Sequence, residues 1–139
     1  MAKIIPFQGY CPPVNRASIV SSPPYDVMTS EEARKMVQDN PDSFLHIIKP
    51  EIDFPPGDEP KGDALHLHGS NNLQKFINNG NLIRDKDHCL YIYQIKMDNH
   101  IQTGIVAGIS IEEYNQGLIK KHEFTQPDKE NDRTNHIRI

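Results

Sequence analysis

The chain has 139 residues and a formal net charge of −4, with only 36% hydrophobic residues and a mean hydropathy of −0.64. That length is one domain's worth, and the acidic balance argues against a general binder of nucleic acid or anionic membrane, which needs an excess of Lys and Arg to neutralise phosphates. No apolar run approaches the roughly 20 residues of a membrane span, no apolar leader follows Met1, and Cys11 and Cys89 have neither metal nor redox spacing, so the expectation is a cytoplasmic protein with two reduced thiols.

Residues 1–28 hold Pro6, Pro12, Pro13, Pro23 and Pro24. Lys3-Ile-Ile is a short predicted strand. The remainder reads as extended, irregular chain, because proline is excluded from helix interiors and biases the preceding residue away from the α region. Ser21-Ser-Pro-Pro-Tyr-Asp26 is a stiff bend that presents a phenol and a carboxylate. Thr29-Ser-Glu-Glu32 fits a capping box. Ala33, Met36 and Val37 follow at helical spacing, so a helix is expected near 30–39, ended by Asn40-Pro41. Phe44-Leu-His-Ile-Ile48 is short, apolar and rich in β formers, and predicts a buried strand with Phe44, His46 and Ile48 on one face. Residues 53–62 are a proline- and glycine-containing loop. A second helix is expected near 63–79, with Leu65, Gly69, Leu73, Phe76 and Ile77 on one face and Gly80 at its C′ position.

Residues 88–97 and 101–111 predict two strands joined at Asp98-Asn99, a pair that tolerates positive φ in a tight turn. Ser110-Ile-Glu-Glu113 starts a short helical turn that Gly117 breaks. Leu118 to Lys121 read as another strand, delivering His122 and Glu123. The helix after Pro127 is polar, with almost no apolar stripe before Ile137. Lys129, Asp132, Arg133 and His136 share one of its faces at i, i+3, i+4, i+7. The predicted fold class is α+β: a small mixed or antiparallel sheet with a central hairpin, covered by two or three helices, in a single domain over residues 1–139.

Several groups could carry chemistry. His122 and Glu123 supply general acid/base capacity, acting jointly if the chain bends after Thr125. Lys129 and Arg133 could pair a phosphate or carboxylate, with Lys120 and Lys121 approaching from the preceding strand and the helix N-terminus adding amide donors. Tyr25 and Asp26 are pre-positioned by the two prolines. His46 reads either as a site residue or as a satisfied core histidine. Each of the others also has a purely structural reading: a solvated helix face, a turn aspartate, a surface histidine. His66-Leu-His68 cannot grip one ion, since i and i+2 diverge on a helix. Position 126 is Gln126, so His122-Glu123 does not extend to a HExxH zinc motif, and no phosphate-cradling glycine loop is present.

Lys3-Ile-Ile-Pro-Phe-Gln-Gly, Ser22-Pro-Pro-Tyr-Asp-Val27, Ser43-Phe-Leu-His-Ile-Ile-Lys-Pro-Glu-Ile-Asp53, Gln102-Thr-Gly104 and Gly117-Leu-Ile-Lys-Lys-His-Glu123 occur in this order, followed by Thr125, Pro127-Asp-Lys-Glu130 and Asp132-Arg133. This series resembles the N-terminal part of the bacterial and archaeal "domain of unknown function 1015" family. Family members are much longer, so the resemblance implies an N-terminal fragment of a larger protein whose missing region completes the pocket. Their later part is similar to the ParB/sulfiredoxin-like superfamily, which includes a free-serine kinase. The family pattern usually has a lysine and an arginine where this chain has Phe124 and Gln126, which removes positive charge.

By that resemblance residues 120–133 are a site for a small anionic metabolite. The activity implied is phosphoryl transfer, with ATP or ADP and Mg²⁺. Glu123, His122 and Asp26 would be the catalytic set. Lys120, Lys121, Thr125, Lys129, Arg133, Tyr25 and His46 would bind the substrate or phosphate, and Asp132 would orient a group or the metal. The alternative is a non-catalytic nucleotide- or ligand-binding regulatory module.

Overall fold

A computed structural model of the protein describes residues 2–120 and 126–139. The fold is α+β, built from short antiparallel two-stranded ladders and six helices among the described residues. The elements are β1 (Ile4–Ile5), β2 (Tyr10–Cys11), α1 (Ala17–Val20), a 3-10 turn (Tyr25–Val27), α2 (Ser30–Val37), α3 (Leu45–Ile48), a second 3-10 turn (Pro50–Asp53), α4 (Asp63–Asn78), β3 (Ile83–Arg84), β4 (Tyr91–Met97), β5 (His100–Val106), β6 (Gly108–Ile109), α5 (Ile111–Asn115) and α6 (Pro127–Arg138). Their packing separates into two compact units, one from residues 2–11 and 84–120, the other from residues 12–83 and 126–139. Among the described residues no helix is long and apolar enough to cross a membrane.

The first unit is organised by strands. β4 and β5 pair antiparallel from Tyr91↔Val106 to Met97↔His100. Asp98 takes the left-handed conformation at φ 51°, which an aspartate tolerates in a tight turn. β1 pairs with β6 through Ile4↔Ile109 and Ile5↔Gly108. The Tyr91 hydroxyl accepts from the Gly9 amide at 2.5 Å and donates to Asp85 at 2.5 Å. Ser110 caps α5 by accepting from the Glu113 amide. Gly117, at φ 72°, closes it: Gly117 N–H donates to the Tyr114 carbonyl and Leu118 N–H to that of Glu113, the Schellman pattern. The strand expected from Leu118 is therefore absent over Leu118–Lys120, because that chain is spent on ending a helix. Lys121 lies outside the described residues.

The second unit is helical and contains the core. Thr29 and Glu32 form the expected capping box. Ala33 and Val37 are buried on the inner face of α2, while Met36 is exposed. Phe44–Ile48 is helical instead of the expected strand: Ile47 and Ile48 donate to the Phe44 carbonyl and Lys49 to that of Leu45. A short apolar run carries no period that separates a buried strand from a buried helical turn. Leu45 and Ile47 are buried, and Phe44, His46 and Ile48 are half-buried. Ala17–Val20 is also helical where extended chain was expected.

Val20, Ile47, Phe76 and Leu82 form one apolar cluster and Ala33, Val37, Leu45 and Ile52 another, with Ile48 packed against both. α4 ends as expected, Gly80 at φ 73° donating to Ile77 and Asn81 to Phe76. Buried Asn81 accepts from Arg16 and donates to Asp42, which also pairs with Arg16.

Candidate functional site

α6 has no buried residue, yet its polar face meets the helical unit. The Lys129 ammonium donates to Asp26 at 3.2 Å. The Arg133 guanidinium lies 4.1 Å over the Tyr25 ring and donates to the Ile48 carbonyl at 3.4 Å and to Asp132 at 2.6 Å. Stacking on an aromatic face orients a guanidinium, and here Nε and Nη2 both donate to the Asp132 carboxylate. Prolines 23 and 24 lead directly into the Tyr25–Val27 turn, so the phenol and Asp26 are delivered together. Tyr25 and Asp26 thus lie beside Lys129, Asp132 and Arg133.

Tyr25, Asp132 and Arg133 line a cleft of about 240 Å³ together with Lys49, Glu51, His66 and His136, while the Lys129–Asp26 pair lies outside its lining. Glu51 accepts from Lys49 at 3.2 Å and from the Ser30 hydroxyl at 2.9 Å. Arg34 supports that wall from behind, donating to the carbonyls of Glu51 and Phe54 and to the Glu59 carboxylate. The His136 and His66 rings are 5.7 Å apart. Burial, then the Arg133 charge and His66, keep the His136 imidazolium disfavoured, and its Nδ1 is buried without a hydrogen-bond partner. Gly69 makes room for this ring. A Cβ at residue 69 would lie 2.9 Å from the Ile47 carbonyl oxygen and 3.2 Å from His136.

The charges that line the cleft balance. Lys49 and Arg133 are matched by Glu51 and Asp132. Such a site offers cations to anionic oxygens and carboxylates to an ammonium or a hard metal ion. Lys49, Glu51 and His66 were not expected here. Lys49 and Glu51 sit at a junction of two single turns with no sequence period. His66 had one signal, Gly69 a turn later, since glycine inside a helix marks close approach of another element.

Other expected residues fall elsewhere. Lys121, His122, Glu123 and Thr125 lie outside the described residues. Lys120 belongs to the strand unit and is exposed. His46 does not line this cleft. Its Nδ1 is 2.5 Å from Asp53 Oδ1 and its Nε2 3.2 Å from the Asn40 carbonyl. Asp53 Oδ2 also meets His68 Nε2 at 2.6 Å and the Asn72 amide at 2.8 Å. Burial pushes the Asp53 carboxyl up, but the three hydrogen bonds from His46, His68 and Asn72 outweigh it and hold it at about 2. The hydrogen bond to Asp53 raises the His46 imidazole above its ordinary value against partial burial. His66 and His68 point to different partners, as their spacing requires. Among the described residues no cluster of His, Cys, Asp and Glu is arranged to hold a metal ion.

No curated protein and no solved structure matches the chain. A family model described as a protein of unknown function (DUF1015) matches residues 4–139. The chain belongs to the DUF1015 family.

Proposed function

We propose that the cleft between the Tyr25 turn, the Lys49–Glu51 segment and α6 binds a small anionic metabolite in the cytoplasm, and that the protein is part of an enzyme of the phosphotransferase type. The observation that carries the reading is Arg133, held over the Tyr25 ring at the edge of a cleft that also contains Lys49. Its fork already holds the Asp132 carboxylate, and a ligand phosphate or carboxylate would take that place on a guanidinium whose orientation is fixed.

The charge balance narrows the ligand to one carrying both signs, either a nucleotide with its Mg²⁺ or an amino acid. Mg²⁺ is commonly held by one or two carboxylates plus substrate phosphates. Single carboxylates such as Asp26 and Asp132 suit that role, and a dedicated protein cage is not needed. ATP or ADP would supply the phosphoryl group. His122 or Glu123, just ahead of α6 in sequence, would serve as the acid/base group, and Lys120, Lys121 and Thr125 would add phosphate donors. Kinase-like chemistry rests on the family's likeness to the ParB/sulfiredoxin-like superfamily, an analogy of family and not of site.

The test is titration of the protein with ADP and Mg²⁺, with inorganic phosphate, and with free amino acids, read as a rise in melting temperature. Binding should be saturable and lost in Arg133→Met. If no ligand shifts the melting temperature, the reading is wrong. Incubation with ATP and amino-acid acceptors then separates the two forms of it. A phosphorylated product that disappears in Glu123→Gln supports the enzyme, whereas binding without turnover supports a non-catalytic regulatory module.

A further inference from the structure

His46 lies outside the cleft, but its surroundings are unusual for a structural histidine. Both ring nitrogens face groups that can only accept: the Asp53 carboxylate at Nδ1 and the Asn40 carbonyl at Nε2. A neutral imidazole carries one N–H and one lone pair. In that form one contact becomes lone pair against lone pair, and only the imidazolium satisfies both.

The partners also place His46 at a mechanical junction. Asp53 is the last residue of the 3-10 turn that starts at Pro50, and Lys49, Pro50 and Glu51 line the cleft. Asn72 on α4 donates to the His46 carbonyl at 2.9 Å and to Asp53 at 2.8 Å, so both ends of the segment are tied to one helix residue. We infer that His46 is a positioning residue for the cleft: an imidazolium clamped between Asp53 and the Asn40 carbonyl, which sets the Lys49–Glu51 wall and releases it when the ring loses its proton.

The charges around the ring favour the clamped form. Asp53 faces it from the 3-10 turn, and Asp42, from the loop before α3, adds a second negative charge. From α4, His68 shares the Asp53 carboxylate. Lys75 shares with His46, Asp42 and Asp53 a second cavity, distinct from the cleft, and directs its ammonium to the Asn72 side-chain oxygen at 3.1 Å. The latch stands on its own geometry. Its consequence for ligands rests on the cleft reading given above.

A nuclear magnetic resonance titration of the intact chain from about pH 5 to about pH 9 spans the range in which histidine ionises and needs neither ligand nor variant. His46 should titrate above the 6.5 of a free histidine and carry protons on both nitrogens below its midpoint. The Glu51 and Ile52 backbone amides should shift with the same midpoint. A His46 midpoint at or below 6.5, or wall amides that ignore it, would overturn the inference. In His46→Gln, which can donate to one side only, that amide transition should vanish.

Sulfate, a dianion at every pH used, then reads the cleft. Its affinity should fall severalfold as pH rises through the His46 midpoint in the parent and stay flat over that range in His46→Gln. The His136 ring, disfavoured as a cation, is the same in parent and variant, so the difference between them isolates His46. An unchanged pH dependence in the variant would remove the positioning role. If sulfate fails to bind at any pH, the cleft reading falls, and the amide titration alone decides the latch.

Discussion

The helical unit and the strand unit differ in where they keep their apolar side chains. Every buried hydrophobic among the described residues lies between Val20 and Leu82, in the helical unit. In the strand unit Ile92, Tyr93, Met97, Ile101 and Ile105 are all exposed. Ladder hydrogen bonds, the Ser110 cap and the Tyr91 hydroxyl give that unit its order. Charged groups need a fixed frame before their positions can mean anything chemically. The cleft and the His46–Asp53 latch are both in the unit that has a core.

This contrast can be broken from either side. The largest effect is expected at Leu45, which is fully buried where α3 meets α2 and the second 3-10 turn. Leu45→Ala should cost about 2–5 kcal/mol in urea unfolding, the usual range for such a cavity. Ile92→Ala, on a hairpin residue 79% exposed, should stay within about 0.5 kcal/mol. Equal losses at the two positions would abolish the distinction between the units.

Asp53 comes next. Its carboxyl moves from 3.8 to about 2 on folding, a difference of about 2 kcal/mol at neutral pH by linkage. Because the folded value is the lower one, that stability is present above pH 4 and is lost as pH falls through about 2. The stability gap between parent and Asp53→Asn should therefore close in acid. For His46 the sign is opposite: its folded value is raised, so its contribution is complete below 6.5 and is lost as pH rises through the folded value. A gap between parent and Asp53→Asn that persists unchanged down to pH 2 would show that the carboxylate charge is not what matters there.

Gly69 gives a smaller effect with a useful control. Alanine there gains about 1 kcal/mol of helix propensity but puts a Cβ 2.9 Å from the Ile47 carbonyl oxygen. The overlap should cost about 1–3 kcal/mol, a net loss near 1 in thermal unfolding. A Cβ at Gly104 in β5 meets nothing within 4 Å, so Gly104→Ala should be close to neutral. The smallest change is Lys129→Ala. Its pair with Asp26 is half-exposed, and such pairs contribute about 0–1 kcal/mol. A larger loss would mean that α6 depends on this one contact for docking.

What could be read from the sequence follows from how local each feature is. The Thr29 capping box, the Ser110 cap, the Asp98-Asn99 turn and the Gly80 helix end each involve groups a few residues apart, and all are found where the residues place them. The hairpin is found close to its expected strands: β4 lies inside 88–97, and β5 starts one residue early at His100 and stops at Val106, after which β6 pairs with β1. The polar face of α6 was legible because i, i+3, i+4 and i+7 must share a side of a helix. Phe44–Ile48 was not legible, since a five-residue run with four apolar side chains fits a strand or a helical turn equally well. His46 followed that error, because strand alternation gave it the wrong neighbours.

The sequence by itself determined the caps, turns and helix ends of this protein, since their hydrogen bonds close within a few residues whatever surrounds them. Only the tertiary structure decided that His46 meets Asp53, that Lys49 and Glu51 join Arg133 at one cleft, and that Gly69 admits His136. Those meetings depend on how α3 and α4 pack around a shared apolar cluster and how α6 lies against α4, and packing is a property of many distant side chains at once.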